Sequence, residues 1–290
     1  MTTVMALIEA GAARLAGAGV AFGHGTDNAF DEAAWLVLWR LSLPLDSELA
    51  AIGGTPVSPA DAGRVEAVIA ERIASRKPAA YLTREAWLQG LSFYVDERAI
   101  VPRSFIAELL VEGDIDPWLG THTRRVLDLC TGNGSLAVLA AMTYPDVVVD
   151  AADLSTEALA VAAINVTRHQ LDDRITLLAS DGLADVRGPY DLILCNPPYV
   201  NAQSMAALPP EYRAEPELAL AGGSDGMDFI RRLLSDAPAQ MTERAVLVLE
   251  IGNERDHFEA AFPHLGAVWL ETSAGDAQVL LLARESLLPA

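Results

Sequence analysis

The sequence predicts an α/β fold: a seven-stranded, doubly wound sheet with an antiparallel last strand, preceded by a small helical domain. Three observations predict it. From Arg124 onward, short apolar runs alternate with amphipathic segments, as in a parallel sheet covered on both faces. The last two runs have no helix between them, so they pair as an antiparallel hairpin. The first part of the chain shows helical periodicity and no strand signal.

The elements follow in order. Apolar residues recur at helical spacing in Val4–Leu15 and in FDEAAWLVLWRL (30–41). A third helix opens at SPADAGRVEAVIAERI (58–73). Ser58 suits the cap, Pro59 the first turn and Asp61 the positive helix end, and Pro78 is the expected stop. Residues 1–80 therefore read as a helical domain. Residues 81–104 read as a hairpin linker, because AWLQGLSFYVDERAIVP (86–102) places aromatic and β-branched residues around Gly90. A helix containing IAELLVE (106–112) opens the third region, 105–290. Its strand candidates are RVLDLC (125–130), VVVDAAD (147–153), ITLLAS (175–180), DLILC (191–195), AVLVLEIG (245–252), AVWLETS (267–273) and QVLLLAR (278–284). STEALAVAAINVTRH (155–169) and MDFIRRLLSDA (227–237) are the clearest helices between them.

Charge and cysteine usage exclude several classes. Lys and Arg number 20 against 40 Asp and Glu, a net charge of -20. Such a surface repels nucleic acid unless the basic residues cluster on one face, and it would attract a basic partner; from charge alone, solubility is the favoured reading. Cys130 and Cys195 each close an apolar run, so both read as buried thiols in a reducing compartment rather than a disulfide framework. The five histidines show no metal-ligand cluster. The amino-terminal stretch lacks a basic region and carries Glu9, so it reads as a helix rather than a signal peptide. No apolar run is long enough to span a bilayer. The expectation is a soluble cytoplasmic protein.

Four stretches carry chemistry. The first is DLCTGNG (128–134), between a strand and the helix SLAVLAAM (135–142). Gly132 and Gly134 allow a tight turn and close ligand approach, with helix N–H groups facing the ligand. Asp128 lies at the strand's C-terminal end, where a doubly wound sheet places its crevice. A carboxylate there suits a cationic ligand such as S-adenosylmethionine. GNGSLA also fits a dinucleotide fingerprint, with Asp153 at the expected distance. In the second stretch, DAADLS (150–155), Asp153 suits the ribose hydroxyls of either ligand, or a helix N-cap, and does not discriminate. Asp128 would face a pyrophosphate unfavourably.

The third stretch is ASDGL (179–183), where Asp181 ends a strand and could reach an adenine amino group. Asp-Gly is also a common turn pair. The fourth is NPPY (196–199). Proline fixes its own φ and restricts the residue before it, so the elbow is stiff. Neither Pro197 nor Pro198 has an N–H. The elbow can therefore present acceptors, the Asn196 side-chain oxygen and the Pro197 carbonyl, to an NH2 group with two hydrogens. Tyr199 offers a face for a planar amide or base. Together these features specify methyl transfer to a planar NH2 nitrogen, driven mainly by orientation.

At these residues the chain resembles the glutamine N-5 methyltransferases that modify translation proteins, a class I S-adenosylmethionine-dependent, Rossmann-like fold. NPPY and DxxTGxG fit both the release-factor and the ribosomal-protein branch. FGHGTDNAFDEA (22–33), YLTREAWLQGLSFYVDERAIVPRS (81–104), LPPEYRAEPELALAGGSDGMD (208–228) and LEIGNE (249–254) resemble the branch acting on large-subunit ribosomal protein L-three. The resemblance covers almost the whole chain. It implies that Asp128, Cys130, Thr131, Gly132, Asn133, Gly134, Asp153, Asp181, Gly182 and Asn196 line an S-adenosylmethionine pocket. It implies that Asn196, Pro197, Pro198 and Tyr199 hold the glutamine, and that the helical domain recognises the substrate. Gly182 stands where the release-factor branch often carries an aromatic residue, so adenine stacking is not expected of it. Phe105 stands where the ribosomal branch tends to have proline.

The implied function is methylation of a glutamine side-chain amide of the basic ribosomal protein L-three, with no nucleic-acid reading and no membrane role. The release-factor branch is the nearest alternative. An adenine-N6 DNA methyltransferase shares the NPPY chemistry but needs a basic groove, against the charge of -20. A nicotinamide-dependent oxidoreductase is the alternative of another class.

Overall fold

A computed structural model describes residues 1–288; the last two residues of the expected 105–290 domain lie outside it. By contacts the chain divides into two compact units. One holds residues 1–86 and 208–215, the other 87–207 and 216–288. The chain thus passes between units at 86/87, 207/208 and 215/216.

The first unit is helical: α1 (Val4–Gly17), α2 (Ala29–Arg40), α3 (Leu49–Ile52), α4 (Pro59–Ser75) and α5 (Ala79–Thr83). Thr3, Asn28 and Ser58 cap α1, α2 and α4 with side-chain oxygens, each satisfying a backbone N–H that the helix leaves unbonded. α4 ends before the predicted stop at Pro78. Arg76 takes a left-handed conformation at φ 58°, and its N–H closes on the Arg72 carbonyl. The short α3 and α5 have too few turns to show a periodicity in sequence. Val4, Ile8, Leu15, Leu36, Val37, Val65 and Ile69 form the core.

A buried ion cluster sits in this unit. Arg72 is 0% exposed. Its Nε donates to Glu32 Oε1 at 2.8 Å, and Nη2 donates to the Ala21 carbonyl at 3.0 Å. Nη1 lies 3.4 Å from Oε1 of Glu211, in the 208–215 segment. Arg76 Nε meets the same oxygen at 2.9 Å. Burial pushes the Glu32 carboxyl above its ordinary value, and Arg72 opposes that rise.

In the second unit, β1 (Ala86–Leu88) and β2 (Leu91–Phe93) form the small hairpin around Gly90. Gln89 and Gly90 both have positive φ, as a two-residue hairpin turn requires. After α6 (Ile106–Glu112) come β3 (Arg125–Leu129), α7 (Ser135–Thr143), β4 (Val148–Asp153), α8 (Thr156–Arg168), β5 (Ile175–Ala179) and β6 (Tyr190–Cys195). Next are α9 (Ala202–Ala207), α10 (Asp228–Asp236), β7 (Met241–Glu250), α11 (Arg255–Ala261), β8 (Val268–Thr272) and β9 (Gly275–Ala283). The sheet order is β5-β4-β3-β6-β7-β9-β8. β9 runs antiparallel to both β7 and β8; the other pairs are parallel. β7 begins at Met241 rather than Ala245, because Met241 pairs with Tyr190 beyond a register shift.

Strand alternation builds two cores. Val126, Val246 and Val248 face one side with Leu136 and Val138 of α7. Leu127, Leu129, Leu247 and Leu249 face the other with Ile230 and Leu233 of α10. A period of two explains why these strands are apolar on both faces. The chain order reverses between β3 and β6, which opens a crevice at their C-terminal ends.

Removing the Arg72 guanidinium leaves the buried Glu32 without its salt-bridge partner, while Glu211 keeps Arg76. Arg72→Ala is expected to destabilise the helical unit by about 3–5 kcal/mol. Urea unfolding followed at helix-sensitive wavelengths checks it; a loss near zero would show that the cluster contributes nothing.

Candidate active site

The crevice holds a cavity of about 680 Å3, walled within the second unit. The β3–α7 turn forms one edge. Cys130, Gly132 and Gly134 all have positive φ, so the chain doubles back at once. Thr131 N–H donates to the Ala152 carbonyl at 3.0 Å and ties the turn to β4. No atom lies within 4 Å of where a Gly132 Cβ would stand; the glycine leaves open space at the cavity edge.

The acids occupy different surroundings. Asp128 is 1% exposed and does not form part of the cavity wall. Its Oδ2 accepts from Thr131 Oγ1 at 2.5 Å and from Ala137 N at 2.9 Å, fastening the turn to α7. Its Oδ1 is buried with no partner. Burial pushes this carboxyl up to about 7, against the pull of the two hydrogen bonds. Asp153 lines the cavity at the end of β4. It accepts from Gly132 N at 2.9 Å and Ser155 N at 2.8 Å. Burial raises it as well, while those amides lower it. The N-cap of α8 is Ser155, not Asp153. Asp181 lines the cavity but is exposed and paired with Arg232 at 2.9 Å, which holds its carboxyl below the usual range.

The elbow leaves β6 beside this cavity. Asn196 and Pro198 are on the wall; Pro197 is buried behind it. Tyr199 is turned away from the wall and gripped from three directions. A Cβ on Gly222 would stand 2.7 Å from its Cα, one on Gly252 would stand 2.5 Å from its Cε2, and one on Gly226 would strike its carbonyl oxygen. Val200 N–H donates to Leu220 O at 2.8 Å, and Gly222 N–H to Val200 O at 2.9 Å. The Tyr199 hydroxyl donates to Glu250 Oε1 at 3.4 Å.

Residues 107–208 match the family model described as methyltransferase small domain. A ribosomal protein uL3 glutamine methyltransferase of Bordetella pertussis is 53% identical over 99% of this chain and 97% of its own length. One of Burkholderia pseudomallei is 53% identical over 98% of this chain and 95% of its own. The chain belongs to the ribosomal protein uL3 glutamine methyltransferase family. Among solved structures, the catalytic domain of hMettl16 in complex with MAT2A 3'UTR hairpin 1 matches 87% of this chain and 90% of its own. The TM-score is 0.55 at 18% identity, a likeness of fold alone.

In this methyltransferase, Cys130, Gly132, Asp153, Asp181, Gly182, Asn196 and Pro198 come together on one cavity wall. Asp128, Thr131, Asn133, Gly134, Pro197 and Tyr199 stand off it, supporting the turn or the elbow. One sequence expectation is corrected: Cys130 is only partly buried and reaches the cavity, because its positive φ lifts it off the end of β3. Cys195 is buried as expected, and burial pushes its thiol up.

Several residues escaped the sequence reading. Arg98 and Ile100 of the linker line the cavity. Arg98 is held by two bonds to Asp96, at 2.8 and 2.7 Å, and draws that carboxyl down to about 2. Phe229 of α10 lines the cavity opposite Gly182, with ring carbons 3.7 and 3.9 Å from where a Gly182 Cβ would stand. The fully buried Asn165 accepts from Tyr94 N at 2.7 Å and donates to Tyr94 O and Asn133 O, joining the linker to the glycine turn. DERAIVPRS carried the only hint, as a resemblance with no role attached.

The raised Asp128 pKa makes a signed prediction. Folded Asp128 holds its proton to about 7 against 3.8 ordinarily, so its contribution is full below 3.8 and lost as pH rises through about 7. Relative to Asp128→Asn, the wild type is expected to lose on the order of 3 kcal/mol between about pH 5 and pH 8. Urea midpoints of both proteins at the two pH values check it; parallel pH curves would exclude a raised value.

Proposed function

We propose that this methyltransferase moves the methyl group of S-adenosylmethionine to the side-chain amide nitrogen of a glutamine in ribosomal protein uL3. The observation that carries this reading is the elbow at residues 196–199, stiffened by two prolines, locked at Tyr199 and placed beside the cavity. The cavity residues fit the cofactor. Leu129, Ala152, Leu154, Ala158 and Phe229 offer apolar faces for a base, and Asp153 a carboxylate for ribose hydroxyls. Asp128, with one unpartnered oxygen beneath the glycine turn, suits the positive charge of the amino acid end. Bound there, the cofactor supplies an electrophilic methyl on a sulfonium.

The chain supplies orientation. Asn196 Oδ1 and the Pro197 carbonyl are assigned as acceptors for the two amide hydrogens of the glutamine. With both N–H bonds held, the out-of-plane electrons of the nitrogen point one way. Such alignment is worth about 7 kcal/mol or more in favourable intramolecular reactions. The elbow offers no strong base, and none is needed first: the N–C bond forms as the sulfonium C–S bond breaks to leave a thioether, and the substituted nitrogen then gives one proton to solvent. Pro198 gives rigidity and Tyr199 packing. Residues 1–80 are assigned to recognition of the substrate protein, 81–104 to the linker and 105–290 to catalysis.

A net charge of -20 suits a basic ribosomal protein as partner. Among the described residues no helix is long and apolar enough to cross a membrane.

Asn196→Ala is expected to keep S-adenosylmethionine binding by calorimetry and to lose turnover by at least about 100-fold with undermodified uL3 and labelled cofactor. Normal methylation by that variant would overturn the assignment, and label entering release factors instead of uL3 would overturn the substrate. Separately, uL3 binding is expected to weaken as salt rises. Affinity unchanged by salt in a titration would rule out the electrostatic attraction.

A further inference from the structure

Glu250 ends β7, next to the end of β6 that carries the elbow. It is 2% exposed. Its Oε2 accepts from Ser104 Oγ at 2.6 Å and Phe105 N at 2.9 Å, at the entry to α6. Ser104 Oγ in turn accepts from Ile106 N at 3.2 Å. The other oxygen, Oε1, accepts from the Tyr199 hydroxyl at 3.4 Å. One carboxyl thus joins two stretches far apart in sequence, VPRS and NPPY, and neither Glu250 nor Ser104 lines the cavity.

A buried acid held by hydroxyl and amide donors, with no ion pair, is costly to keep. Burial pushes Glu250 up to about 7; the hydrogen bonds from Ser104 and the backbone, and more weakly the charge of Arg103, pull it down. A leucine would fill the space without that cost. What a leucine lacks is two directed acceptors. Four residues on, Glu254 Oε1 accepts from Asn201 Nδ2 at 2.7 Å while its Oε2 meets His257 Nδ1, and Asn201 Oδ1 caps α9 at Ser204 N. LEIGNE therefore holds both ends of the chain leaving the elbow, with Gly252 between them against the Tyr199 ring.

We propose that Glu250 is a positioning residue for methyl transfer, anchoring the 196–199 elbow to the start of α6 through the hydroxyls of Tyr199 and Ser104. The inference rests on the reading that this elbow holds the glutamine amide. Glu250 acts through Tyr199, so its loss misplaces the acceptors while leaving the cofactor walls intact.

The test compares Glu250→Ala, Glu250→Gln, Tyr199→Phe and the Gln/Phe double variant in the full chain. Turnover of uL3, S-adenosylmethionine Kd by calorimetry and Tm are read for each. Glu250→Ala is expected to lower kcat on the order of 100-fold with the cofactor Kd unchanged within about 2-fold. Glu250→Gln and Tyr199→Phe are each expected to lose about 10-fold, and the double variant about 10-fold rather than the product, because both cut one link. Multiplying losses, an unchanged kcat, or cofactor affinity falling in step with kcat would each overturn the proposal. If Glu250→Ala does not fold, the Gln and Phe pair decides. Asn196→Ala separates the two readings. If it still turns over, the glutamine clamp fails; if it is inactive while the Glu250 variants keep full kcat, only the role of Glu250 fails.

Discussion

The ligand edge of this sheet depends on how little room Tyr199 has. Two prolines fix φ angles, but a stiff elbow on a loose mount still points anywhere. The mount comes from elsewhere in the chain. Gly222 and Gly226 approach the Tyr199 backbone, and Gly252 lies against its ring, closer than any side chain could. Glycine loses more backbone freedom on folding than other residues, so three at one contact are a cost the fold bears for proximity. What proximity gives is a fixed direction for Asn196, the one elbow side chain on the cavity wall with polar atoms. Orientation is the main catalytic resource for an amide nitrogen, whose lone pair is delocalised, so this packing and the chemistry are one problem.

The buried acids belong to the same problem. Asp128, Asp153 and Glu250 all end strands or lie near strand ends, and burial raises all three. None relies on a salt bridge; each is met by hydroxyl or backbone donors. Such donors favour the ionised carboxyl and oppose the rise that burial imposes. They also leave charge to be answered. A positively charged ligand arriving near Asp128 would favour its ionised form and offset part of the desolvation cost. The unpartnered Oδ1 is where that charge is least answered by the protein itself.

The sequence was readable where a residue's role is local. Strand-end acids, the glycine turn, the elbow and the Ser58 cap all announce themselves within a few residues; Ser58 caps α4, and Asp153, Asp181, Gly132 and Asn196 lie on the cavity wall while Asp128, Pro197 and Tyr199 stand off it. Roles that need a distant partner were not readable. Nothing near Asp181 names Arg232, and nothing near Glu250 names Ser104. Phe229 occupies an ordinary amphipathic helix, so its place opposite Gly182 has no periodic signal. Cys130 departs from its expected burial for the opposite reason. An apolar run suggested burial, while the positive φ of the turn decided its exposure. The glycines of 222–226 and 252 were visible only as resemblance; their cause is the chain of Tyr199.

That distinction bears on how the substrate is chosen. An elbow acting as proposed would suit any planar NH2 group, so selection of a basic protein would have to come from charge and surface outside it. The stretches 22–33 and 208–228 share the family resemblance, and it is tempting to read their acids as contacts for that protein. Much of their identity has an internal explanation. Glu32 and Glu211 are consumed by Arg72 and Arg76, and Glu215 lies 3.4 Å from the buried His24. Tyr212 packs against His24 with the rings tilted by 51° and crowds Gly23, where a Cβ would meet its hydroxyl. Carboxylates that are buried and already answered by arginine contribute little to attraction across water. If the net charge of -20 guides a basic partner, the acids that do so are the exposed ones, and the shared motif residues of the helical unit serve by holding 208–215 in its fold.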